Sequence, residues 1–202
     1  QQNTGSLGTV TNTSILPGTE YSRPAGESAY DPEGAKELLA QAGYDGETFT
    51  LACTSQRASL AALIQQNLAD VGIQVEIETV DSATMFAGMS DGTYDLAVAS
   101  HTPTSLPLWF TGSRFTADNN LFRVPDLSQY TTLLTALEEE TNETARIDLV
   151  DEWEALLNQE MPFIPLWFSY ALHVQSKTVT GIDYAAAACC NENVWQWEMT
   201  QA

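Results

Sequence analysis

Hydrophobic and polar positions alternate at two different periods along this chain, and the switches between them mark its elements. From Tyr30 to Tyr44 the apolar residues Leu38, Leu39 and Ala42 recur at helical spacing. Asp31 stands where it can cap, Pro32 fits the first turn because its missing N–H costs nothing there, and Gly43 supplies a left-handed stop. Glu47 to Thr54 alternates with β-favouring residues and predicts a strand. A helix over Arg57 to Val71 follows, with Leu60, Leu63, Ile64, Leu68 and Val71 on one face and Gly72 behind it. Ile73 to Val80 alternates again, with Ile73, Val75 and Ile77 opposite Gln74, Glu76 and Glu78. Asp81 or Ser82 caps a short helix carrying Met85, Phe86 and Met89. Tyr94 to Ser100 is near-continuously apolar, which predicts a central strand buried on both faces. The order β-α-β-α-β predicts an α/β fold with a mostly parallel sheet and right-handed crossovers.

Residues 101–124 interrupt this rhythm with Pro103, Pro107 and few periodic positions. Two helices are predicted next. One starts near Asp126 and carries Tyr130, Leu133, Leu134 and Leu137. The other runs from about Glu143 to Glu160 with Ile147, Val150, Trp153, Leu156 and Leu157. Phe163 to Ser176 predicts one or two strands after a Met-Pro entry, and a short tail holds Trp195, Trp197 and Met199. The first 28 residues are rich in Thr, Ser, Gly and Asn with little periodicity, as in a fragment of a longer chain.

Composition narrows the function. At 202 residues and 44% hydrophobic, the chain can bury a real core. Its 27 acidic against 7 basic residues give a formal charge of −20, which repels nucleic acid and anionic membrane. No apolar run is long enough for a membrane span, and no signal peptide is visible. Of the cysteines, Cys53 lies in an apolar strand pattern and reads as a small buried hydrophobe; Cys189 and Cys190 are adjacent, without zinc spacing. In an extracytoplasmic protein Cys53 has the option of a disulfide with one of them. Asn12-Thr-Ser14 and Asn142-Glu-Thr144 match the glycosylation acceptor pattern, about as often as chance provides in a chain of this composition.

Several segments together resemble the family 5 extracellular solute-binding proteins, the peptide-, dipeptide- and nickel-binding receptors of ABC importers. The stretch from Tyr30 to Tyr44 resembles the opening of that family's C-terminal lobe. Leu68-Ala-Asp-Val-Gly-Ile-Gln-Val-Glu-Ile-Glu-Thr-Val80, Gly92-Thr-Tyr-Asp-Leu-Ala-Val98, Ala136 to Arg146 with Glu160-Met-Pro-Phe-Ile-Pro-Leu166, and Thr178-Val-Thr-Gly-Ile182 follow in the family's order and spacing. The resemblance implies a periplasmic-binding-protein-like lobe (type II, cluster C-like) over residues 29–183, after an irregular segment 1–28. It implies that 184–202 crosses back to a missing N-terminal lobe, and that the closed clamp docks on membrane ABC permease subunits. It further implies an extracytoplasmic, lipid-anchored protein that captures a small solute: an oligopeptide or dipeptide, or alternatively nickel or a metal chelate. No cofactor is implied.

Ligands of open α/β sheets meet the loops at the carboxyl ends of strands, here Thr54-Ser-Gln56 and 100–124. The second loop offers His101, Thr102, Thr104, Ser105, Asn119 and Asn120 as hydrogen-bonding groups, Leu106, Trp109 and Phe110 as an apolar wall, and Arg114 and Arg123 as cations. Arg114 can grip a carboxylate or pair with Asp118. Peptide-binding members of the family often carry an acid shortly after the preceding strand to meet the peptide's amine; His101 to Pro107 contains none, whereas His101 suits a metal chelate.

Two other classes stand against a receptor. Gly88-Met-Ser-Asp-Gly92 fits the G-x-S-x-G pattern of hydrolases, but the nucleophile elbow needs a strand before the Ser and a helix after it, and the order here is reversed. No enzyme is therefore expected. An acidic domain that only docks a protein partner would show the same periodicities.

Overall fold

The protein is described by a computed structural model covering residues 8–22, 29–100, 112–170, 174–182 and 194–199. Its centre is a three-stranded parallel sheet built from β2 (Thr48–Cys53), β3 (Gln74–Thr79) and β4 (Leu96–Val98), in the order β3-β2-β4. Strand β1 (Gly8–Val10) lies apart from it. Helix α2 (Ala58–Asp70) makes the first crossover and α3 (Ser82–Asp91) the second.

Period-two alternation sorts the side chains of β2 between the two helices. Leu51 and Cys53 are buried with Ala61, Val75 and Val98, and Leu60, Ile64 and Leu68 of α2 pack over them as the helical spacing predicts. Ala52 points the other way, to Met85 and Tyr94 beside α3. The sheet thus carries a helix on each face, the doubly wound arrangement. Cys53 is a fully buried free thiol in the first of these cores, while Cys189 and Cys190 lie outside the described residues.

Caps end the helices where the sequence says they should. The Asp31 carboxylate accepts from Gly34 N at 2.9 Å to start α1 (Pro32–Ala42), and Gly43 closes it at φ 72°. Asp81 starts α3 by accepting from Ala83 N at 2.9 Å and Thr84 N at 3.1 Å. The Leu38/Leu39/Ala42 stripe of α1 is only thinly covered: Leu39 is half-buried, Leu38 and Ala42 are exposed, and none of the helix's residues is fully buried.

The Tyr94 to Ser100 strand also differs from its prediction. Ladder pairing is confined to Leu96–Val98, and Leu96 is 40% exposed, so the strand is not buried on both faces. Among the described residues it flanks β2 and does not sit at the centre. The cause is local. Tyr94 N bonds back to Gly88 O at 3.3 Å, and the Asp95 carboxylate accepts from both Thr50 N and Thr50 Oγ1 at 2.8 Å. These bonds tie up the first residues of the run before the ladder begins.

Gly88 explains half of the G-x-S-x-G match. A Cβ there would fall on the ring of Tyr94, so the glycine serves close packing of α3 on the start of β4. Ser90 lies in the last turn of α3 with the strand after it, the reverse of an elbow. Gly88→Ala should overpack this contact and cost about 1–3 kcal/mol; an unchanged urea midpoint would show that the Tyr94 ring yields freely.

The Asp95 carboxyl is held below the usual carboxylate range, first by the Thr50 backbone N–H and then by its hydroxyl. Asp81 is lowered in the same way, first by the backbone N–H of Thr84. A depressed folded-state pKa favours the native state above the unfolded pKa, and that contribution disappears as pH falls through the folded value. Melting temperature should therefore fall as pH drops below about 4. Asp95→Ala should show a shallower fall; parallel curves for the two proteins would contradict the role of Asp95.

The second half of the fold is helical. Helices α4 (Ser128–Glu139) and α5 (Glu143–Glu160) pack together around Tyr130, Trp153, Leu156 and Leu157, with Phe115 of β5 (Phe115–Thr116) set between them. Strand β5 pairs with β6 (Asn119–Asn120). The N-terminal stretch is tied into this half. Strand β1 pairs antiparallel with β7 (Trp167–Ser169), and Ile15 and Tyr21 are buried against Leu137 and Val150. Glu154 of α5 accepts from Thr13 Oγ1 at 2.6 Å, from Ser14 N at 3.1 Å and from Ser14 Oγ. Of the expected Phe163 to Ser176 strands, the described residues show β7. Downstream, β8 (Val179–Thr180) pairs with β9 (Glu198–Met199) in the tail.

Candidate ligand-facing edge

The strand order places a topological switch point between β2 and β4. The chain leaves β2 toward α2 on one face, while the connection into β4 arrives from α3 on the other. Between two such strands the loops at the carboxyl edge diverge and leave a crevice. Two segments leave the carboxyl ends of these strands here: Thr54 to Arg57 after β2, and the one that begins with Ala99 and Ser100 after β4.

A side chain joins these two loops. Arg57, at the end of the one-turn helix Ser55–Arg57, donates from Nη2 to Ser100 Oγ at 2.8 Å. The residue is half-buried, and among the described residues this neutral hydroxyl is its only side-chain partner. In a chain with 27 acids, a cation held by a hydroxyl instead of a carboxylate keeps donors available for an anionic group. Sequence reasoning placed Arg57 only as the start of a helix. The signal was present: one of seven basic residues stands directly after the carboxyl end of a strand.

His101, Thr102, Thr104, Ser105 and Trp109, with Leu106 and Phe110, lie outside the described residues; the segment they occupy leaves β4 directly after Ser100. The other four candidates are described. Asn119 Nδ2 donates to Ser113 O at 2.8 Å. Asn120 brackets Val124, donating to its carbonyl at 2.8 Å and accepting from its N–H at 3.0 Å. Both amides therefore close the 112–124 loop on its own backbone. Arg114 is half-buried, and its carbonyl accepts from Leu121 N at 3.2 Å. Arg123 adopts φ 52°, and its guanidinium covers Gly92 at the C-terminus of α3. Gly92 precedes β4, so Arg123 lies at the amino edge of the sheet, opposite Arg57 and Ser100. Its charge also helps to lower the Asp91 pKa, a shift due first to the Thr93 hydroxyl.

Of two open grooves along α4 and α5, one is lined by Glu139, Glu140, Asp148 and Glu152 and the other by Gln129, Thr132, Glu152 and Gln159; neither includes Arg57 or Ser100. Among the described residues no group of three or more His, Cys, Asp or Glu side chains converges to hold a metal ion.

A doubly wound parallel sheet beside a two-helix subdomain is the arrangement of periplasmic-binding-protein-like folds. In keeping with that, the chain superposes on DppA of Helicobacter pylori, an ABC transporter-associated periplasmic binding protein solved with the peptide STSA. The TM-score is 0.78 at 20% identity, over 98% of this chain and 40% of that one.

The chain belongs to the bacterial extracellular solute-binding proteins, family 5, whose middle-region model matches residues 2–121. It is 29% identical over 188 residues to SapA of Escherichia coli strain K12, a probable ABC transporter periplasmic-binding protein, covering 85% of this chain and 34% of SapA. Di/tripeptide-binding protein 4 of Pseudomonas aeruginosa strain UCBPP-PA14 is 24% identical over 184 residues, 80% of this chain and 32% of its own. The chain thus spans about a third of the length of these curated relatives. No described helix is long and apolar enough to cross a membrane.

Proposed function

We propose that this chain is one lobe of the substrate-binding component of an ABC importer, closing with a second lobe on a short peptide. The carrying observation is the Arg57–Ser100 bridge at the switch point. It offers a guanidinium with a neutral partner where the fold leaves a crevice, which suits a peptide's terminal carboxylate. The likeness to a di/tripeptide-binding protein of Pseudomonas aeruginosa supports the same ligand class.

In this reading His101, Thr102, Thr104, Ser105 and Trp109 line the crevice beyond Ser100, and Arg114, Asn119, Asn120 and Arg123 give the following loop its shape. The second lobe, the membrane permease subunits and an extracytoplasmic lipid anchor complete the proposal. It invokes no catalysis.

The test is calorimetry on the full-length protein with di- to tetrapeptides and their C-terminal amides. Free-acid peptides should bind, and the amides should bind more weakly. Equal binding of both would remove the carboxylate contact and keep the peptide. No binding of either would remove the peptide reading.

A further inference from the structure

The two Asn-x-Ser/Thr matches are equivalent in sequence and different in structure. In Asn12-Thr-Ser14 the middle Thr and the final Ser both donate their hydroxyls to Glu154, and the segment is stitched to α5. Asn12 itself is half-buried. In Asn142-Glu-Thr144, the Asn ends the turn between α4 and α5 and the other two residues open α5; all of residues 141–144 are exposed. The Asn142 side chain accepts from Ala145 N at 3.0 Å through Oδ1, as the cap of α5. Its Nδ2 and the Thr144 hydroxyl make no hydrogen bond to any described residue. Glu140, two residues before the Asn, accepts from the Asn142 N–H at 2.7 Å, so an acidic side chain also stands beside the acceptor.

We propose that Asn142 is an N-glycan acceptor and that Asn12 is not. The proposal rests on the extracytoplasmic location, since a membrane oligosaccharyltransferase acts there on a lipid-pyrophosphate-linked glycan. In the transfer, Asn142 Nδ2 bonds to the anomeric carbon of the donor sugar. The anomeric C–O bond to phosphate breaks, the lipid pyrophosphate leaves with that electron pair, and the amide nitrogen gives one proton to solvent. The cap survives, because it uses Oδ1 while the new bond uses Nδ2. The Thr at the third position supplies the hydroxyl that acceptor recognition needs. A glycan here would project from the inter-helix turn as a bulky, solubilising surface group.

The experiment is peptide mapping by mass spectrometry on the full-length protein isolated from its own cells, after separating cytoplasmic from extracytoplasmic fractions. The peptide containing Asn142 should carry a glycan mass and the peptide containing Asn12 should not. Thr144→Val should abolish the modification while leaving the Asn142 cap intact, and Thr144→Ser should keep it. Unmodified Asn142 in the extracytoplasmic protein overturns the site. Modification of Thr144→Val, or of Asn12 as well, overturns the structural selection between the two. Recovery of the protein solely from the cytoplasm overturns the location, and the site with it.

Discussion

Trp153→Ala should cost about 3–5 kcal/mol of stability, enough to remove much of the roughly 5–15 kcal/mol typical of a whole domain. Trp153 is fully buried, and its indole meets Phe115 and Tyr130 edge-on, each with ring centroids 5.4 Å away. Those two rings stack on each other at 4.3 Å. Alanine would remove the shared edge-to-face partner of both and leave a cavity in a cluster that joins α4, α5 and the 112–124 loop. Trp153→Phe is the informative control. It keeps an aromatic ring in the slot and deletes the indole N–H, which is buried and makes no hydrogen bond among the described residues. Losing an unsatisfied buried donor is favourable and the retained ring limits the cavity, so this variant should cost clearly less than the alanine one. The Tyr130 hydroxyl shares the same apolar surroundings; burial, with a smaller push from Glu160, raises its pKa to about 12, so it stays neutral. Chemical denaturation of the two variants decides the matter. Equal losses would mean that the cluster relaxes around the missing ring.

Arg57→Ala should weaken binding of free-acid peptides by about 10- to 150-fold in the full-length protein, the loss expected for a charge-assisted contact worth roughly 1.5–3 kcal/mol. Melting temperature should hardly move, because the hydrogen bond to Ser100 is exposed and its partner neutral. The same variant should bind a C-terminal peptide amide as the wild type does. That pattern separates carboxylate contact from loop positioning, which would lower the affinity for acid and amide alike. Arg57→Lys keeps the charge without the two-pronged geometry and should fall between the two.

Much of the sheet half was legible because its signals are local. Leu51, Val75 and Ile77 alternate at the strand period, α2 follows the helical period, and Asp81 and Gly92 bound α3. The misses have long-range causes. The stripe of α1 is as regular as that of α2, yet periodicity records only that a face is apolar, not that something covers it. The Tyr94 to Ser100 run is apolar almost throughout, but Asp95 is engaged by Thr50, 45 residues earlier, and no pattern within the run reports that. For Arg57 the local signal, a basic residue just after a strand, is in the sequence, but its hydrogen bond to Ser100 depends on the pairing of β2 with β4 and has no local trace.

The pairing of β1 with β7 has a consequence for the order in which the chain can fold. Thr9 and Tyr170 share a hydrogen bond across 161 positions of sequence. At roughly 5–20 residues per second of synthesis, β1 waits about 8–30 s for its partner strand to be made. The parallel sheet needs nothing outside residues 48–98, so it can close while the helices that hold Glu154 are still unmade. The N-terminal stretch, with its unpaired strand and the apolar Ile15 and Tyr21, therefore stays unprotected until the second half of the chain has been made.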